Sequence, residues 1–208
     1  MNTFFSTLFV AATISSSALA GSPAPYSEAP VVPVAASQST DWSGFYAGGL
    51  VSFDSGELGY GSPGSTIPFV YDFEKNTSFG GFAGYNLQRG ALVYGGELAY
   101  NSAGSHVAPF DNEAQSFVLD AKARVGFAAG HALIYGVVGY SMTEWTTSTS
   151  YSASGLSYGL GLDYMIGEHL FVGAEYLVRD MSGPREDNPN FVGHTALSSA
   201  ALRAGWKF

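Results

Sequence analysis

The chain has 208 residues, a formal net charge of −9, no cysteine and 27 glycines, and only 12% of its residues are charged. Soluble domains carry about twice this fraction of charged residues. The lack of cysteine excludes a disulfide scaffold, a thiolate metal site and a cysteine nucleophile. The acidic excess disfavours nucleic acid as a partner, and the hydrophobic content of 46% is too high for a disordered chain.

Residues 1–20 have the features of a secretory signal peptide. An apolar stretch precedes three serines and the small residues Ala18 and Ala20, which suit signal-peptidase cleavage. Residues 21–41 follow as a predicted periplasmic leader rich in Pro, Ala and Ser. The remaining body, 42–208, has no run of about 18 apolar residues, so no membrane helix is predicted there.

From position 42 onward, apolar and polar residues alternate with the period of two that is typical of β-strands. The fourth predicted strand shows this most clearly, because its apolar residues, apart from Val118, have odd numbers and its charged residues, Asp120, Lys122 and Arg124, have even numbers. Both faces of the fifth are apolar, and we take as its outer set Ile134, Val138, Tyr140 and Met142. The pattern predicts eight strands, at about 43–53, 78–88, 91–101, 115–127, 132–143, 154–166, 169–179 and 195–208.

Alternating strands fit either a soluble barrel or sandwich, with the apolar face inside, or a membrane barrel, with that face towards lipid. Glycine occupies the polar face of nearly every strand, which a narrow lumen requires. Aromatic residues on the apolar face gather near the strand ends, as in the girdles of membrane barrels. One predicted girdle contains Phe45, Tyr85, Tyr94, Phe127, Tyr164, Trp206 and Phe208. The other contains Phe53, Tyr100, Phe117, Tyr140 and Tyr176.

The connections between predicted strands alternate in length. Those at 89–90, 128–131 and 167–168 are tight, and the others are long and polar, at about 54–77, 102–114, 144–153 and 180–194. Short turns on one side and long loops on the other are typical of outer-membrane barrels. We therefore predict an all-β fold, an eight-stranded antiparallel transmembrane β-barrel with both termini in the periplasm. A lipocalin-like or streptavidin-like soluble barrel is the alternative.

Five stretches of the body resemble those of small eight-stranded outer-membrane barrels: Trp42–Gly49, Gly84–Asn86, Tyr94–Glu97, Lys122–Gly126 and Gly205–Phe208. They are similar to the porin-like surface antigens (outer membrane immunogenic proteins) of alphaproteobacteria, which are related to the transmembrane domain of outer membrane protein A. The resemblance covers about 42–208. It implies a structural or surface-exposed barrel of the cell outer membrane, with outer-membrane lipid and lipopolysaccharide as partners, sometimes linked to haemin binding, adhesion or immune recognition. Phe208 resembles the terminal aromatic residue that the barrel-assembly machinery reads.

The alternation also places charged residues on the face that would line the lumen. An eight-stranded barrel is just wide enough to be filled by side chains, and unpaired charges inside it would be costly, so we expect a salt-bridged network. Its simplest role is to pack a polar core, and the functional alternative is a gate whose ion pairs rearrange to open a narrow conductance. The predicted lumen residues are Glu97, Asp120, Lys122, Arg124, Asp163, Glu175, Arg179, Arg203 and Lys207.

Most of the acidic residues fall in the predicted long loops. None of these loops has the acid spacing and central glycine of an EF-hand. The acidic residues therefore indicate solvent-exposed loops without a dedicated calcium site. Binding of divalent cations, a basic partner or a host ligand at the surface is the alternative. The acidic loop residues are Asp54, Glu57, Asp72, Glu74, Asp111, Glu113, Glu144, Asp180, Glu186 and Asp187.

Two motif matches do not fit their usual contexts. The G-x-S-x-G match at Gly155–Gly159 lies inside a predicted strand, whereas a nucleophile elbow needs a strand-to-helix turn. The G-x-G-x-x-G match at Gly59–Gly64 is not followed by a helical pattern. No catalytic residue, metal site or cofactor is therefore predicted.

Histidines and tyrosines leave two further possibilities. His106, His194, Tyr60 and Tyr71 are candidate haemin ligands in the loops. A lipid-active deacylase would need a serine beside His194, but Ser198 on the same face lies about 13 Å further along the strand. We predict a non-enzymatic protein for envelope integrity and surface interactions. The alternatives are a narrow gated channel, a haemin-binding surface protein and a deacylase-like outer-membrane enzyme.

Overall fold

The computed structural model describes residues 40–61, 69–72, 76–102, 106–107, 110–146, 151–184, 190 and 192–208. The predicted signal peptide and most of the predicted leader lie outside these residues. No helix of the described part is long and apolar enough to cross a membrane. The strands there are β1 (Gly44–Gly61), β2 (Phe69–Asp72), β3 (Asn76–Arg89), β4 (Leu92–Ser102), β5 (His106–Val107), β6 (Phe110–Ala129), β7 (Ala132–Thr146), β8 (Tyr151–Ile166), β9 (Leu170–Pro184) and β10 (Val192–Lys207).

Eight long strands form a closed antiparallel barrel. Their order is β10-β9-β8-β7-β6-β4-β3-β1, and β1 pairs again with β10. The short strands β2 and β5 extend the sheet by pairing with β1 and β6. Closure leaves no unpaired edge along the wall, which is what a sheet in lipid requires. The predicted eight-stranded antiparallel barrel is confirmed.

The predicted tight turns join strands at one end of the barrel, which we call the turn end. Glycines there have positive φ, 60° at Gly90 and Gly130 and 74° at Gly167. This left-handed conformation is one that glycine adopts without steric cost. The first described residues and the C-terminal Phe208 also lie at the turn end, because β1 begins and β10 ends there. We call the opposite end the loop end.

At the loop end the strands run further than the alternation predicts, so the expected long loops are partly wrong. The β1–β10 ladder continues to Gly61 opposite Val192, and β6 pairs with β7 as far as Ala114 opposite Thr146. Glu57, Asp72, Asp111, Glu113, Glu144 and Asp180 lie in strands, while Glu74, Glu186 and Asp187 lie outside the described residues. The reason is physical: apolar alternation ends where lipid contact ends, but the backbone ladder needs no apolar side chains to continue.

The two faces of the wall match the predicted parity. Outward apolar residues are strongly exposed, for example Phe45 at 67% and Leu160 at 66%, whereas Asp120 on the inner face is 1% exposed. The outer set chosen for the ambiguous fifth strand is confirmed, since all four of its residues are exposed. Inside, the lumen core takes up that strand's other apolar residues, Leu133, Tyr135 and Val137.

The outward face carries an apolar belt between aromatic residues. On β8 the outward positions are apolar from Leu156 to Ile166, and about 10 residues of a tilted strand cross the hydrocarbon core of a bilayer. Phe45 stands opposite Tyr85, with ring centroids 4.6 Å apart. The predicted girdle residues face outward and are exposed, except for Tyr94 and Phe117, which are half-buried.

Candidate functional site

The lumen holds a cluster of buried charges. None of its members is more than 8% exposed, and its four acidic and four basic residues balance. They come from five different strands, so the barrel rather than any local sequence brings them together. The members are Glu97, Asp120, Lys122, Arg124, Asp163, Glu175, Arg179 and Arg203.

Glu97 on β4 is the centre of the larger group. Its Oε1 lies 2.8 Å from Lys122 Nζ, and its Oε2 lies 2.8 Å from Arg124 Nη1 and 2.6 Å from Arg203 Nη2. Three cations from β6 and β10 therefore share one carboxylate. Charge-assisted hydrogen bonds of this kind are about twice as strong as neutral ones.

Two further acids complete the group. Glu175 Oε1 lies 2.5 Å from Lys122 Nζ, and its Oε2 lies 3.1 Å from Arg203 Nη1. Asp163 Oδ2 accepts a 2.7 Å hydrogen bond from Arg124 Nη2, and Asp163 Oδ1 lies 3.4 Å from Arg203 Nε without hydrogen-bond geometry. In this group Lys122, Arg124 and Arg203 thus each face at least two acids, which offsets the cost of burying charges.

Two tyrosines belong to the same network. Tyr46 Oη accepts a hydrogen bond from Arg124 Nη1 at 2.8 Å and donates to Glu97 Oε2 at 3.0 Å. Tyr135 Oη donates to Glu175 at 3.2 Å, and its ring centroid lies 3.9 Å from Arg124 Cζ, a cation–π arrangement. Tyr135 is not among the predicted lumen residues, because its strand is apolar on both faces. The outer set of this strand has even numbers, so the odd number of Tyr135 already indicated that its side chain faces the lumen.

A separate bidentate pair lies nearer the loop end. Arg179 donates from Nε to Asp120 Oδ1 at 2.8 Å and from Nη2 to Oδ2 at 2.7 Å. Ser141 Oγ also donates to Asp120 Oδ1, at 2.6 Å, and Arg179 Nη1 donates to Ser199 Oγ. These bonds satisfy both charged groups without help from the larger group.

Two predicted positions need correction. Lys207 has no described ion pair and lies at the turn end, where its Nζ donates to the Ser43 carbonyl oxygen at 3.4 Å. It is the last inward residue of β10, too close to the turn end to reach the acids. Asp54, expected in a loop, faces the lumen at the other end, and Ser52 and Ser78 each donate to it at 2.7 Å. The strand continues through Asp54, and its even number gives it the inward parity.

The turn end of the lumen is packed with aromatic rings. Phe171 is central, with ring centroids 6.1 Å from Trp42, 5.9 Å from Tyr46 and 6.1 Å from Phe82. Trp42 precedes β1, and its backbone N–H donates to Gln88 Oε1 at 2.7 Å. Beside it, the Ser43 N–H donates to Asp41 Oδ1 at 2.8 Å and holds the pKa of Asp41 below its ordinary value.

Little free space remains between these layers. One cavity lies behind Trp42 and another between the two charge groups, and each has a volume of about 10 Å³. That is enough for about one water molecule. The larger surface depressions are lined mainly by outward-facing residues of the apolar belt. The described lumen is therefore filled rather than open.

Among the residues considered for haemin binding, Tyr60 lies on β1, and Tyr71 and His194 lie on the strands β2 and β10 that flank it. Ser157, within the G-x-S-x-G match, is buried inside strand β8. His194 stands opposite Gly59 and Ser182 in the ladder, while His131 and His169 lie at the turn end. No group of three or more metal-binding side chains occurs within the described part of the chain. Residues 62–64 of the glycine-rich match lie outside the described part.

The family model described as outer membrane protein beta-barrel domain matches residues 29–208. The 22 kDa outer membrane protein of Rhizobium leguminosarum bv. viciae is 27% identical over 192 residues, which cover 87% of this chain and 82% of that protein.

Two solved structures share the fold. OprG from Pseudomonas aeruginosa superposes with a TM-score of 0.55 at 15% identity, covering 82% of this chain and 98% of OprG. Neisserial surface protein A superposes with a TM-score of 0.51 at 16% identity, covering 80% of this chain and 98% of that chain. At these identities the similarity concerns the fold alone.

A closed antiparallel barrel with an apolar outer belt, aromatic girdles and a polar interior defines a transmembrane β-barrel protein. The chain belongs to the outer membrane protein beta-barrel domain family. It is a surface-exposed β-barrel of the cell outer membrane.

Proposed function

We propose that this protein is a structural, non-enzymatic component of the outer membrane whose filled barrel supports the envelope and presents acidic residues at the cell surface. The observation that carries the proposal is the filled lumen, with its balanced ion pairs and its aromatic layer. Such an interior favours a rigid anchor in the membrane over a steady conduit for solutes. Outer-membrane lipid and lipopolysaccharide are the proposed partners of the outward face.

The proposal places the turn end, and with it both termini, in the periplasm. Short periplasmic turns and longer extracellular extensions are typical of these barrels. The loop end then faces outward with the exposed acids Glu57, Glu144 and Asp180. Glu57 and Asp180 flank Ala196 on three adjacent strands, so they lie on one side of the barrel. A basic ligand at the surface suits this charge.

At the other end, Phe208 is 73% exposed on the outer face, and its backbone N–H donates to the Phe45 carbonyl oxygen at 2.9 Å. This is an accessible aromatic side chain at the end of the last strand. We propose that the barrel-assembly machinery reads it during insertion.

Single introduced cysteines test the orientation without background labelling, because the chain has no cysteine of its own. Ser152 is exposed at the loop end and Glu168 at the turn end, so Ser152→Cys and Glu168→Cys form a matched pair. With an impermeant maleimide, we expect intact cells to label only Ser152→Cys, and Glu168→Cys only after lysis. Both variants should restore detergent resistance to a strain that lacks the gene.

The opposite labelling pattern would contradict the orientation. A deletion strain with unchanged detergent sensitivity would contradict the envelope role. A steady conductance of the purified protein in planar bilayers would favour the gated channel instead.

A further inference from the structure

The residues before β1 do not continue that strand but cross the turn-end mouth of the barrel. Gly44 has a φ of 117°, a backbone conformation that residues with side chains rarely adopt. The bend at Gly44 directs residues 40–43, which we call the strap, over the lumen. At its far side, Thr40 N–H donates to the Gly130 carbonyl oxygen at 3.2 Å, in the turn between β6 and β7.

Trp42 is the part of the strap that enters the barrel. Its side chain is 2% exposed and meets the Phe171 ring edge-on at a centroid distance of 6.1 Å. Trp42 therefore lies between the mouth and the charged centre. Without it, the aromatic layer would lose the ring nearest to the mouth.

A small cavity separates the strap from the charge network. Its volume is about 10 Å³, and Trp42, Asn86, Arg124 and Asp163 are among its lining residues. Trp42 Nε1, Asn86 Oδ1 and Arg124 Nε are buried without a hydrogen-bond partner. One water accepts two hydrogen bonds and donates two, so it suits two N–H donors and one oxygen acceptor.

The strap is attached less firmly than the wall that it covers. Its backbone contact with the barrel is the bond from Thr40 to Gly130, and its other described bonds to the barrel use side chains, such as that from Trp42 N to Gln88 Oε1. By contrast, β1 is paired with a neighbour on both sides from Tyr46 to Asp54. Segments with few ladder bonds open at a lower free energy than the whole fold.

We propose that the strap is a displaceable plug: it closes the turn-end mouth with Trp42 over a water-sized cavity, and it leaves while the barrel stays folded. Its release exposes Arg124 and Asp163 to solvent from that end. The rest of the charge network still closes the lumen, so release opens a vestibule and not a channel.

The test uses the full-length chain refolded into phosphatidylcholine vesicles with Trp42 as the only tryptophan, in the double variant Trp145→Phe/Trp206→Phe. Urea is raised stepwise while Trp42 fluorescence and its quenching by acrylamide are recorded beside far-UV circular dichroism. We expect acrylamide quenching of Trp42 to rise severalfold at urea concentrations that leave the β-sheet signal unchanged. The matched variant Trp42→Phe/Trp145→Phe keeps only the lipid-facing Trp206, and its fluorescence should change only with the sheet signal.

Gln88→Ala, which removes the acceptor of the Trp42 backbone N–H, provides a second variant in the Trp42-only chain. It should shift the release of Trp42 to lower urea and leave the unfolding of the sheet where it was. If Trp42 becomes accessible only together with the loss of the sheet, or if Gln88→Ala shifts neither transition or both equally, the strap is a fixed part of the core and the proposal is wrong.

Discussion

Glu97→Ala should lower the free energy of unfolding of the barrel by about 3–5 kcal/mol, the range for removing one member of a buried ion-pair network. The carboxylate of Glu97 is the shared partner of Lys122, Arg124 and Arg203. Without it, three acids face four buried cations, and one positive charge stays uncompensated in a region with little water. Reversible urea unfolding of the protein in lipid vesicles, followed by circular dichroism, measures the change.

Two variants separate this effect from simple loss of packing. Glu144→Ala removes an exposed carboxylate and should change the free energy of unfolding by less than about 0.5 kcal/mol. The double variant Glu97→Gln/Lys122→Met removes one charge of each sign and should be more stable than Glu97→Ala. A Glu97→Ala variant as stable as Glu144→Ala would contradict the proposed stabilising role of the network.

An arginine in the middle of the apolar belt should also destabilise the protein strongly. Leu160 on β8 is 66% exposed on the outer face. On a soluble barrel, such a surface substitution changes stability by less than about 0.5 kcal/mol. In a bilayer, Leu160→Arg should cost about 2–4 kcal/mol, because the guanidinium would lie near the midplane. Urea unfolding in vesicles of matched thickness gives the value.

The cost of the same substitution should fall towards the edge of the belt. Ile166 is outward-facing at the turn end of β8, where an arginine reaches the interface and costs about 0–1 kcal/mol. Leu160→Ala controls for the loss of the leucine side chain. Equal costs for Leu160→Arg and Ile166→Arg would contradict the assigned depth of these residues.

Much of the barrel wall was predictable because a strand in lipid must keep one face apolar. Odd and even positions from Phe117 to Phe127 sort into outward and inward residues without knowledge of the partner strands. The alternation within their own strands likewise predicted inward positions for Glu97 and Arg203. Which acid meets which base depends on the register between distant strands, and no local pattern encodes that register.

The differences from prediction lie where lipid no longer constrains the sequence. Asp54 looked like a loop residue because apolar alternation stops near it, although β1 continues. Lys207 has the inward parity, but parity says nothing about depth along the barrel axis. Trp42 was assigned to the body by its sequence motif, yet its place in the aromatic layer follows from the bend at Gly44, which the alternation does not encode.

The central claim is that the apolar face of the wall contacts lipid along its whole width. Spin labels on single cysteines at the outward positions of β8 test it directly, since the chain has no other cysteine. In vesicles, the ratio of collisions with oxygen to collisions with a water-soluble nickel chelate should peak near Leu160 and fall towards Leu156 and Tyr164. A high and uniform rate of nickel collisions at all three positions would show that this face meets water, and it would contradict the membrane barrel.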